Sequence, residues 1–415
     1  MSKAKEQSNL ANNDDALEVF YGLPKDVQFC IRCVISNQRP SSVVERKNKG
    51  KKTEKDFICF DDDGICSACR FQDIKDNEIN WEQREQELVL LCDKFRSKDG
   101  NYDCLVPGSG GKDSAYVTHM LKDKYDMNPL SVTWAPHKYT EIGHANFEEF
   151  CHSGFNNILF TPNGSLHRAL TKKAFLNLCH PFQPFIIGQR QIAPKMAVKF
   201  NIPLIFYGEN PAENGNLIEE GSKPKMFPKF YSGNPNDDII IGGESLHQTI
   251  ENEGFHKSDI LPYQPISEED ASSLGIEVHY FSYYKKWDPQ ENYYYAVENT
   301  AFQPNIRRTE GSFSKYSSVD DKIDPLHYYT TLIKYGIGRC TYDAAQEIRT
   351  GKLERDEGVM LVKKFDNEFP SRFIDEMLDY MDITEEQFWS TLDNARSPHL
   401  WKYESNNWIL RNELT

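Results

Sequence analysis

The segment Pro107–Ser114 constrains the fold of this chain most, because it places consecutive glycines between a predicted strand and a predicted helix. Tyr102–Val106 is a short apolar run that stops at a proline and a glycine, as strands often do. Beyond the glycines, apolar residues recur at helical spacing from Tyr116 to Leu121. The sequence therefore predicts a strand, a tight glycine turn and a helix in direct succession.

This turn has the residues of a phosphate-binding site. Gly110 and Gly111 allow the backbone to aim several N–H groups at one point, and the N-terminus of the following helix adds partial positive charge. Lys112 adds a full positive charge, and Ser109 and Ser114 can donate hydroxyl hydrogen bonds. Such an arrangement favours the binding of an anion that carries several phosphates.

The turn matches neither of the two common nucleotide-binding fingerprints. A Walker loop needs serine or threonine after its Gly-Lys step, but Asp113 follows Lys112, and Val106 occupies the position of the first glycine. The spacing also differs from Gly-x-Gly-x-x-Gly. A plain glycine turn before a helix is the alternative, and the polar residues that accompany the glycines favour the phosphate site.

Further strands and helices alternate after the turn. Leu130–Trp134, Asn157–Thr161 and Ile202–Tyr207 read as strands, and Leu166–Leu178 repeats apolar residues every four positions along one helix face. This order predicts an α/β fold with a parallel sheet covered by helices on both faces. Glu209 follows the last of these strands, at the edge where ligands bind in open α/β sheets.

Four cysteines form two Cys-x-x-Cys pairs near the N-terminus. Cys30, Cys33, Cys66 and Cys69 supply enough thiolates for a closed tetrahedral zinc site. A redox or sulfur-relay pair and unrelated cysteines remain as alternatives, and Cys59 lies between the pairs as a competing ligand. The pattern favours structural Zn²⁺ that stabilises a short segment with little core of its own.

The charge balance and the absence of long apolar runs limit the functional classes. The net charge of −15 lowers the expectation of nucleic-acid binding, which usually needs a basic surplus. No apolar run approaches the length of a membrane span, and the first twenty residues contain no apolar signal region. We therefore expect a cytoplasmic protein without a membrane partner.

Composition divides the chain into four predicted regions. They are a frayed tail at 1–24, a zinc-binding segment at 25–80, an ATP-binding α/β domain at 81–262, and a substrate-binding and helical region at 263–415. The polar stretch at 45–52 reads as a solvated loop. The segment Pro211–Tyr263 is rich in Gly, Pro and Asn, which indicates either a functional lid or unrecognised elements. The aromatic stretch Tyr280–Tyr295 is expected to fill the core rather than to stack on a sugar.

Ser109–Ser114, in its strand–helix context, resembles the pyrophosphate loop of the ATP pyrophosphatase superfamily. The resemblance implies an adenine nucleotide alpha hydrolase-like fold that binds ATP with Mg²⁺, cleaves between the α and β phosphates, and transfers AMP to a substrate oxygen. It implies that Asp113 is a partner of Mg²⁺ and that Trp134 lies at the adenine site. The implied nucleotide-binding residues are Ser109, Gly110, Gly111, Lys112, Asp113, Ser114 and Trp134.

A narrower resemblance extends from Cys30 to about the C-terminus. The cysteine pairs, Ser109–Ser114, Gly208–Asn210, Asp320–Lys322 and Lys334–Arg339 are similar to motifs of bacterial N-acetyl sugar amidotransferases of surface-polysaccharide, O-antigen and flagellar-glycan biosynthesis. This resemblance implies conversion of an acetamido group on a sugar, which can be nucleotide-linked, to an acetamidino group. ATP would activate the amide oxygen as an adenylate, and ammonia from a separate glutaminase subunit would displace AMP.

The narrower resemblance also implies roles for individual residues. The implied catalytic residues are Asp113, Lys112, Glu209, Lys334 and Arg339. The implied substrate-binding residues are Asn210, Arg308, Glu310, Asp321 and Lys322.

Two other functions remain open at the level of sequence. A tRNA-modifying thiolase or lysidine-type enzyme of the same superfamily also combines this loop with paired cysteines, but the net charge of −15 argues against a grip on tRNA. A non-catalytic nucleotide- and zinc-binding assembly partner is the second alternative. The intact sequence Lys112-Asp113-Ser114 argues against it.

Overall fold

A five-stranded parallel sheet lies at the centre of the computed structural model, which describes residues 17–41, 48–216 and 218–415. The strand order is β3-β2-β1-β4-β9, and every neighbouring pair is parallel. The strands are β1 (Cys104–Pro107), β2 (Pro129–Trp134), β3 (Asn156–Phe160), β4 (Leu204–Tyr207) and β9 (Glu277–Tyr280). The prediction of an α/β fold with a parallel sheet is confirmed.

The inner strands are apolar because helices cover both faces of the sheet. In β1, Leu105 pairs with Leu130 on one side and Ile205 on the other, and all three are buried. The side chain of Leu105 belongs to the cluster that includes Ile192, whereas its neighbour Val106 belongs to the opposite cluster. Successive residues of the strand thus pack into the core on opposite faces of the sheet.

Helices in the first half of the chain cover the sheet and its approaches. They are α1 (Ser67–Asn77), α2 (Trp81–Phe95), α3 (Lys112–Asp123), α4 (Glu141–His152), α5 (Gly164–Leu178), α6 (Gln183–Phe200) and α7 (Ile218–Gly221). The predicted helices after the glycine turn and over 166–178 correspond to α3 and α5. The acidic stretch that begins at Trp81 forms α2, as its composition indicates.

Ten further helices follow in the second half of the described chain. They are α8 (Leu246–Glu253), α9 (Lys257–Ile260), α10 (Glu268–Leu274), α11 (Phe281–Tyr284), α12 (Pro289–Thr300), α13 (Asp324–Tyr335), α14 (Arg339–Arg349), α15 (Arg355–Phe365), α16 (Ile374–Met381) and α17 (Glu385–Ala395). The region after residue 324 is largely helical, as expected, and ends in an antiparallel hairpin of β10 (Trp401–Glu404) and β11 (Asn407–Leu410).

The segment Pro211–Tyr263 contains elements of its own rather than a bare loop. Besides α7 to α9 it holds β5 (Ser232–Gly233), β6 (Ile240–Ile241) and β7 (Glu244–Ser245), and β8 (Ile266–Ser267) follows it. Gly242 N donates to Gln183 Oε1 at 2.7 Å, and Ile241 is buried in the main core cluster. Of the two readings of this segment, the one with unrecognised elements is therefore correct.

Two predicted boundaries differ from the structure. Residues 1–16 of the predicted tail, and residues 45–47 of the predicted polar loop at 45–52, lie outside the described residues. Within 17–24, however, Phe20 and Tyr21 are buried, and the Tyr21 ring meets Tyr335 at 5.4 Å, so this part is packed and not frayed. The sheet also extends past residue 262, because β9 adds its fifth strand.

The aromatic stretch Tyr280–Tyr295 mainly fills the core, as expected. Phe281, Tyr284 and Trp287 are each at most 3% exposed. None of the helices in the described part of the chain has the length and apolar composition needed to cross a bilayer.

Candidate functional site

Two loops border a crevice at the point where the strand order reverses. β1 is followed in sequence by β2 on one side of it, whereas β4 lies on its other side, so the loops that leave β1 and β4 diverge and open a crevice at the carboxyl edge of the sheet. The loop after β1 is Gly108–Gly111, and the loop after β4 begins with Gly208 and Glu209. This topology brings together the glycine turn and Glu209, which are about 100 residues apart in sequence.

The glycine turn needs its glycines for steric reasons. Gly110 has a φ of +82°, and a Cβ at this position would lie 2.8 Å from the Cα of Phe147. A Cβ at Gly108 would lie 2.4 Å from the Cβ of Ser114. The backbone therefore passes close to α3 and α4, and the N–H groups at the start of α3 remain available to an anion.

A cavity of about 310 Å³ lies directly over this turn. Ser109, Gly111, Lys112, Asp113 and Ser114 line it together with Glu209 from the β4 loop. A second cavity of about 430 Å³ adjoins it, since Lys112, Asp113, Glu209, Trp287, Ser317 and Arg339 line both. The two volumes together can hold a nucleotide and a second ligand.

The larger cavity has a positive charge balance. Among the described residues that line it, the cations are Arg39, Lys112, Arg190, Lys334 and Arg339, and the carboxylates are Asp113, Glu209 and Asp343. The local balance of five to three is opposite in sign to the net charge of −15 for the chain. A cavity with such walls concentrates anionic ligands.

Glu209 has the electrostatic properties of a proton acceptor near neutral pH. Its side chain is open to the cavity, but protein surrounds it on the other sides. Burial and, next, the nearby charge of Asp113 raise the pKa of this carboxyl to about 7, and Lys112 opposes the shift. A carboxyl with this pKa can gain and lose a proton under physiological conditions.

Lys112 and Asp113 form an ion pair at the first turn of α3. The other oxygen of Asp113, Oδ1, accepts a hydrogen bond of 3.2 Å from the side-chain amide of Asn292 in α12. Asp113 remains 42% exposed on its side chain, so its carboxylate is still accessible from the cavity. An accessible carboxylate is the kind of ligand that Mg²⁺ takes.

Lys334 and Arg339 reach the cavity from the C-terminal region. Lys334 is 3% exposed and lies at the end of α13, with its ammonium 5.1 Å from the centre of the Tyr335 ring. Arg339 begins α14, and its guanidinium makes two contacts with Asp343, of 2.9 and 3.2 Å. The structure thus places both predicted cations beside Lys112 and Glu209.

Asp320 lies at the glycine turn, whereas the sequence analysis named its neighbour Asp321 as the substrate residue. Its Oδ2 accepts a hydrogen bond of 2.6 Å from Ser109 Oγ, and it lines the cavity over the glycine turn. Burial raises the pKa of Asp320, and the hydrogen bond from Ser109 opposes this shift. The sequence indicated the pair Asp320-Asp321, but it did not show which of the two carboxylates contacts the glycine turn.

Arg39 was also missed and joins the larger cavity from the cysteine-rich segment. It is 5% exposed, and its guanidinium lies 5.8 Å from the centre of the Tyr342 ring. Arg39 follows Cys33 by six residues, and no motif in the sequence marks it as a cavity residue.

Two predicted contact residues face the interior instead of the cavity. The Trp134 ring is 2% exposed, packs against Gly188, Phe160 and Tyr263, and lines neither of the two cavities. Asn210 is 1% exposed, and its side chain accepts a hydrogen bond of 2.9 Å from Ala212 N. Asn210 therefore caps the short helical turn that follows β4.

Four other predicted substrate residues are held by partners elsewhere. Arg308 forms a bidentate pair with Glu368, and Lys322 pairs with Glu376 at 2.9 Å. Glu310 accepts hydrogen bonds from Ser371 Oγ and Arg372 N. Asp321 is 4% exposed and accepts from both the backbone N and Nδ1 of His137, at 2.7 Å each. Three of these residues have partners within the C-terminal region, and Asp321 links that region to His137 in the loop after β2. None of the four lines either cavity.

Cys30, Cys33, Cys66 and Cys69 converge as predicted. All four are buried, and their sulfur atoms lie within 4.8 Å of one another. Cys33 Sγ is 3.7 Å from Cys66 Sγ, and Cys30 Sγ is 3.9 Å from Cys69 Sγ. Ligands 2.3 Å from a tetrahedral zinc would be about 3.8 Å apart, so the four thiols fit this ion.

Cys59 does not belong to this cluster among the described residues. Its side chain is exposed, and its sulfur contacts the backbone oxygen of Phe57 at 3.8 Å. The backbone N–H groups of Cys33 and Cys66 instead point at Cys30 Sγ, at 3.5 and 3.3 Å. Such N–H···S contacts stabilise a thiolate that binds a metal.

The fold and the site define an α/β protein with a glycine turn at the carboxyl edge of a parallel sheet, a four-cysteine cluster and a helical C-terminal region. Residues 310–415 match the family model described as LPS biosynthesis protein WbpG-like, C-terminal domain. This match supports the resemblance to surface-polysaccharide biosynthesis proteins for that part of the chain.

Two other known proteins resemble the chain more remotely. An uncharacterised protein of Methanocaldococcus jannaschii is 36% identical over 53 residues, which cover 13% of this chain and 19% of that protein, so the chain spans about a fifth of this relative's length. The U34-tRNA thiolase NcsA from Methanococcus maripaludis, solved with its 4Fe–4S cluster, matches with 12% identity and a TM-score of 0.27. The superposition covers 76% of this chain and 79% of that chain, and at this score it carries no argument about the reaction.

Proposed function

We propose that this protein is an ATP-dependent amidotransferase that converts the acetamido group of an N-acetyl sugar to an acetamidino group. One observation carries the proposal: the glycine turn at Ser109–Ser114 opens into a positively lined cavity that also receives Glu209. The match of residues 310–415 to a domain of LPS biosynthesis proteins supports a sugar as the second substrate.

The glycine turn would bind the β and γ phosphates of ATP. The N–H groups around Gly110 and Gly111, the hydroxyls of the turn and Lys112 all offer hydrogen bonds to phosphate oxygens. These groups are preorganised, so they stabilise charge on pyrophosphate as it leaves. Asp113 would hold Mg²⁺, which neutralises phosphate charge when it is bound.

The amide oxygen of the acetamido group would attack the α phosphorus. This forms a new P–O bond, breaks the bond to the β phosphate with its electron pair on pyrophosphate, and leaves the former amide as a cationic O-adenylyl imidate that keeps its N–H proton. Conversion to a phosphate ester is necessary because an amide oxygen is otherwise a poor leaving group. Lys334 and Arg339, which line the same cavity as Lys112, would stabilise the negative charge that is displaced between phosphate oxygens.

Ammonia would then attack the imidate carbon. A C–N bond forms, the C–O bond to AMP breaks with its electron pair on AMP, and one proton leaves the incoming nitrogen. Glu209 has a pKa of about 7 and faces the cavity, so it would accept this proton. A separate glutaminase subunit would be the physiological source of ammonia.

The four thiols near the N-terminus would hold a structural zinc ion. Arg39 follows Cys33 by only six residues. A closed metal site would therefore hold Arg39 in the cavity wall. This role is positional and involves no chemistry at the metal.

The test is pyrophosphate release with purified protein, ATP, Mg²⁺, ammonium and a panel of N-acetyl sugars, free and nucleotide-linked. We expect release that needs both a sugar and ammonium, with an equal amount of AMP. Lys112→Ala should abolish release while its circular dichroism spectrum stays unchanged. Release of inorganic phosphate and ADP, or AMP formation that needs tRNA in place of a sugar, would contradict the proposal.

A further inference from the structure

A third opening, of about 780 Å³, lies between α1, the start of α12 and the end of α14. We call it the outer cleft. Trp287 lines the outer cleft and also both cavities described above, so its indole is a shared wall between them. Asn292 is a second part of the floor, and its side chain reaches through to Asp113 at 3.2 Å. A displacement of the Trp287 ring would join the outer cleft to the reaction cavity.

The Trp287 wall is held from both ends. Its carbonyl oxygen accepts a hydrogen bond of 2.9 Å from the buried Lys75 ammonium. Its ring edge lies over Gly208, where a Cβ would come within 2.8 Å of Cη2. Gly208 immediately precedes Glu209, so the indole lies beside the carboxyl to which we assign proton transfer.

The indole N–H of Trp287 is an unpaired donor. Trp287 is 2% exposed, and its Nε1 has no hydrogen-bond partner among the described residues. A buried donor without a partner is costly, and a ligand that accepts its hydrogen bond would remove this cost. Indole can only donate, so it can bind the lone pair of neutral ammonia but not ammonium, which has no lone pair.

The charge of the outer cleft is opposite to that of the reaction cavity. Its described charged residues are Asp76, Asp288, Glu291, Glu298, Lys286 and Arg349. Lys286 is paired with Asp76 at 2.6 Å, and Lys352 beside the cleft pairs with Glu291 at 2.6 Å and with Asp288 at 3.7 Å. With Lys352 counted, the four carboxylates exceed the three described cations by one negative charge. A negative mouth concentrates a small cation, whereas the positive inner cavity repels it.

We propose that the outer cleft is the entry route of the nitrogen substrate: it collects ammonium at its acidic mouth and passes neutral ammonia beneath Trp287 to the adenylated intermediate. This inference rests on the proposed function. The charge reversal would favour loss of a proton on the way in, because the cation is stabilised outside and destabilised inside. The proton returns to solvent through the mouth, and no electron transfer is involved.

The first test measures AMP formation against ammonium concentration in the substitution Glu298→Lys. Glu298 is exposed at the mouth and touches no reacting atom. We expect the KM for ammonium to rise roughly two- to five-fold, with kcat and the KM for ATP unchanged. Glu251→Lys, at an exposed position on α8, is the matched control and should change none of these values. An unchanged KM for ammonium in Glu298→Lys would overturn the route.

The second variant, Trp287→Phe, tests the wall itself. A smaller ring should widen the passage, so the preference for ammonium over methylamine should fall about ten-fold. An unaltered preference in a folded variant would contradict a passage at this residue.

A further measurement separates this inference from the proposed function. Crystals soaked with thallous ion, which substitutes for ammonium, should show anomalous density in the outer cleft of the wild type and lose it in Glu298→Lys. No thallium in the cleft would overturn the inference even if the enzyme forms amidines. Thallium in the cleft of a protein without ammonium-dependent turnover would instead overturn the proposed function, and with it the delivery role.

Discussion

Ser109 and Asp320 are 211 residues apart in the chain, yet the Ser109 hydroxyl donates a 2.6 Å hydrogen bond to the Asp320 carboxylate. The backbone of Asp320 is equally well fixed, because its carbonyl accepts from Thr140 N at 3.0 Å and a Cβ at Gly143 would lie 2.5 Å from its Cα. The C-terminal region therefore holds the glycine turn in place through a rigid contact. The geometry of the glycine turn depends on both halves of the chain.

The first prediction concerns this contact. Asp320→Asn replaces a charge-assisted hydrogen bond with a neutral one at the edge of the phosphate cradle. We expect kcat/KM for ATP to fall about 10- to 100-fold, since hydrogen bonds to charged groups contribute roughly 1.5–3 kcal/mol. Steady-state kinetics with varied ATP measures the effect.

Asp321→Asn is the matched control for that prediction. Asp321 is bound to His137 and not to the turn, so the substitution should lower the melting temperature more than it lowers the use of ATP. Equal kinetic defects in the two variants would show that Asp320 has no specific role at the turn.

The second prediction concerns the pH dependence of turnover. Glu209 must be ionised to accept a proton, and its pKa is raised to about 7. We expect kcat of the wild type to rise with pH and to level off above about pH 7. Glu209→Gln should lower kcat about 10²- to 10⁴-fold and remove this limb of the profile. A profile in Glu209→Gln that keeps the same limb would assign the titration to another group.

The third prediction concerns the effect of the same residue on stability. An unfolded glutamate titrates at 4.5, so between this pH and about 7 the folded protein holds a proton that the unfolded chain has released. The contribution of Glu209 to folding stability therefore falls as pH rises through this window. We expect Glu209→Gln to melt above the wild type at about pH 8 and to match it near about pH 5. A constant difference between the two pH values would contradict the assigned pKa shift.

The fourth prediction concerns the metal. Cys66→Ser should reduce the zinc content from about one ion per chain to nearly none and lower the melting temperature by several degrees. Cys59→Ser alters an exposed thiol outside the cluster and should keep both values at those of the wild type. Elemental analysis and thermal melting measure the two quantities. Iron with acid-labile sulfide in place of zinc would contradict the assignment of the ion.

The fifth prediction compares Arg339, which lines both cavities, with Arg308, which the sequence analysis named as a substrate residue but which lines neither. Arg339→Gln removes a cation from the wall shared by both cavities and should lower kcat about 10²- to 10³-fold. Arg308→Gln breaks a bidentate pair with Glu368 and should lower the melting temperature with wild-type kinetics. A kinetic defect in Arg308→Gln would contradict this prediction and would indicate that Arg308 contacts the substrate.

The main features of the fold and site were predictable because their signals are local. The strand before Ser109–Ser114, the helix after it and the cysteine spacing all lie within short windows of sequence. The fifth strand was missed because Glu277 and His279 interrupt its apolar pattern. In the structure His279 Nε2 lies 3.0 Å from Glu277 Oε2, within hydrogen-bond distance. His279 Nδ1 also contacts the Tyr284 hydroxyl at 2.6 Å.

The substrate residues were harder to predict because their partners are distant in sequence. Arg308 and Lys322 look like free cations until Glu368 and Glu376 are placed beside them. Asn210 follows a strand end, as a ligand residue would, but its side chain satisfies the backbone two residues later. A polar residue at the correct edge of a sheet can therefore serve the fold alone.

The most direct test of the central claim follows one oxygen atom. An N-acetyl sugar labelled with heavy oxygen in its acetamido carbonyl is incubated with the enzyme, ATP, Mg²⁺ and ammonium, and AMP is analysed by mass spectrometry. If the turn at Ser109–Ser114 directs adenylation of the amide oxygen, AMP will carry the label and the sugar will have lost it. Unlabelled AMP, or a label found in inorganic phosphate, would contradict the account.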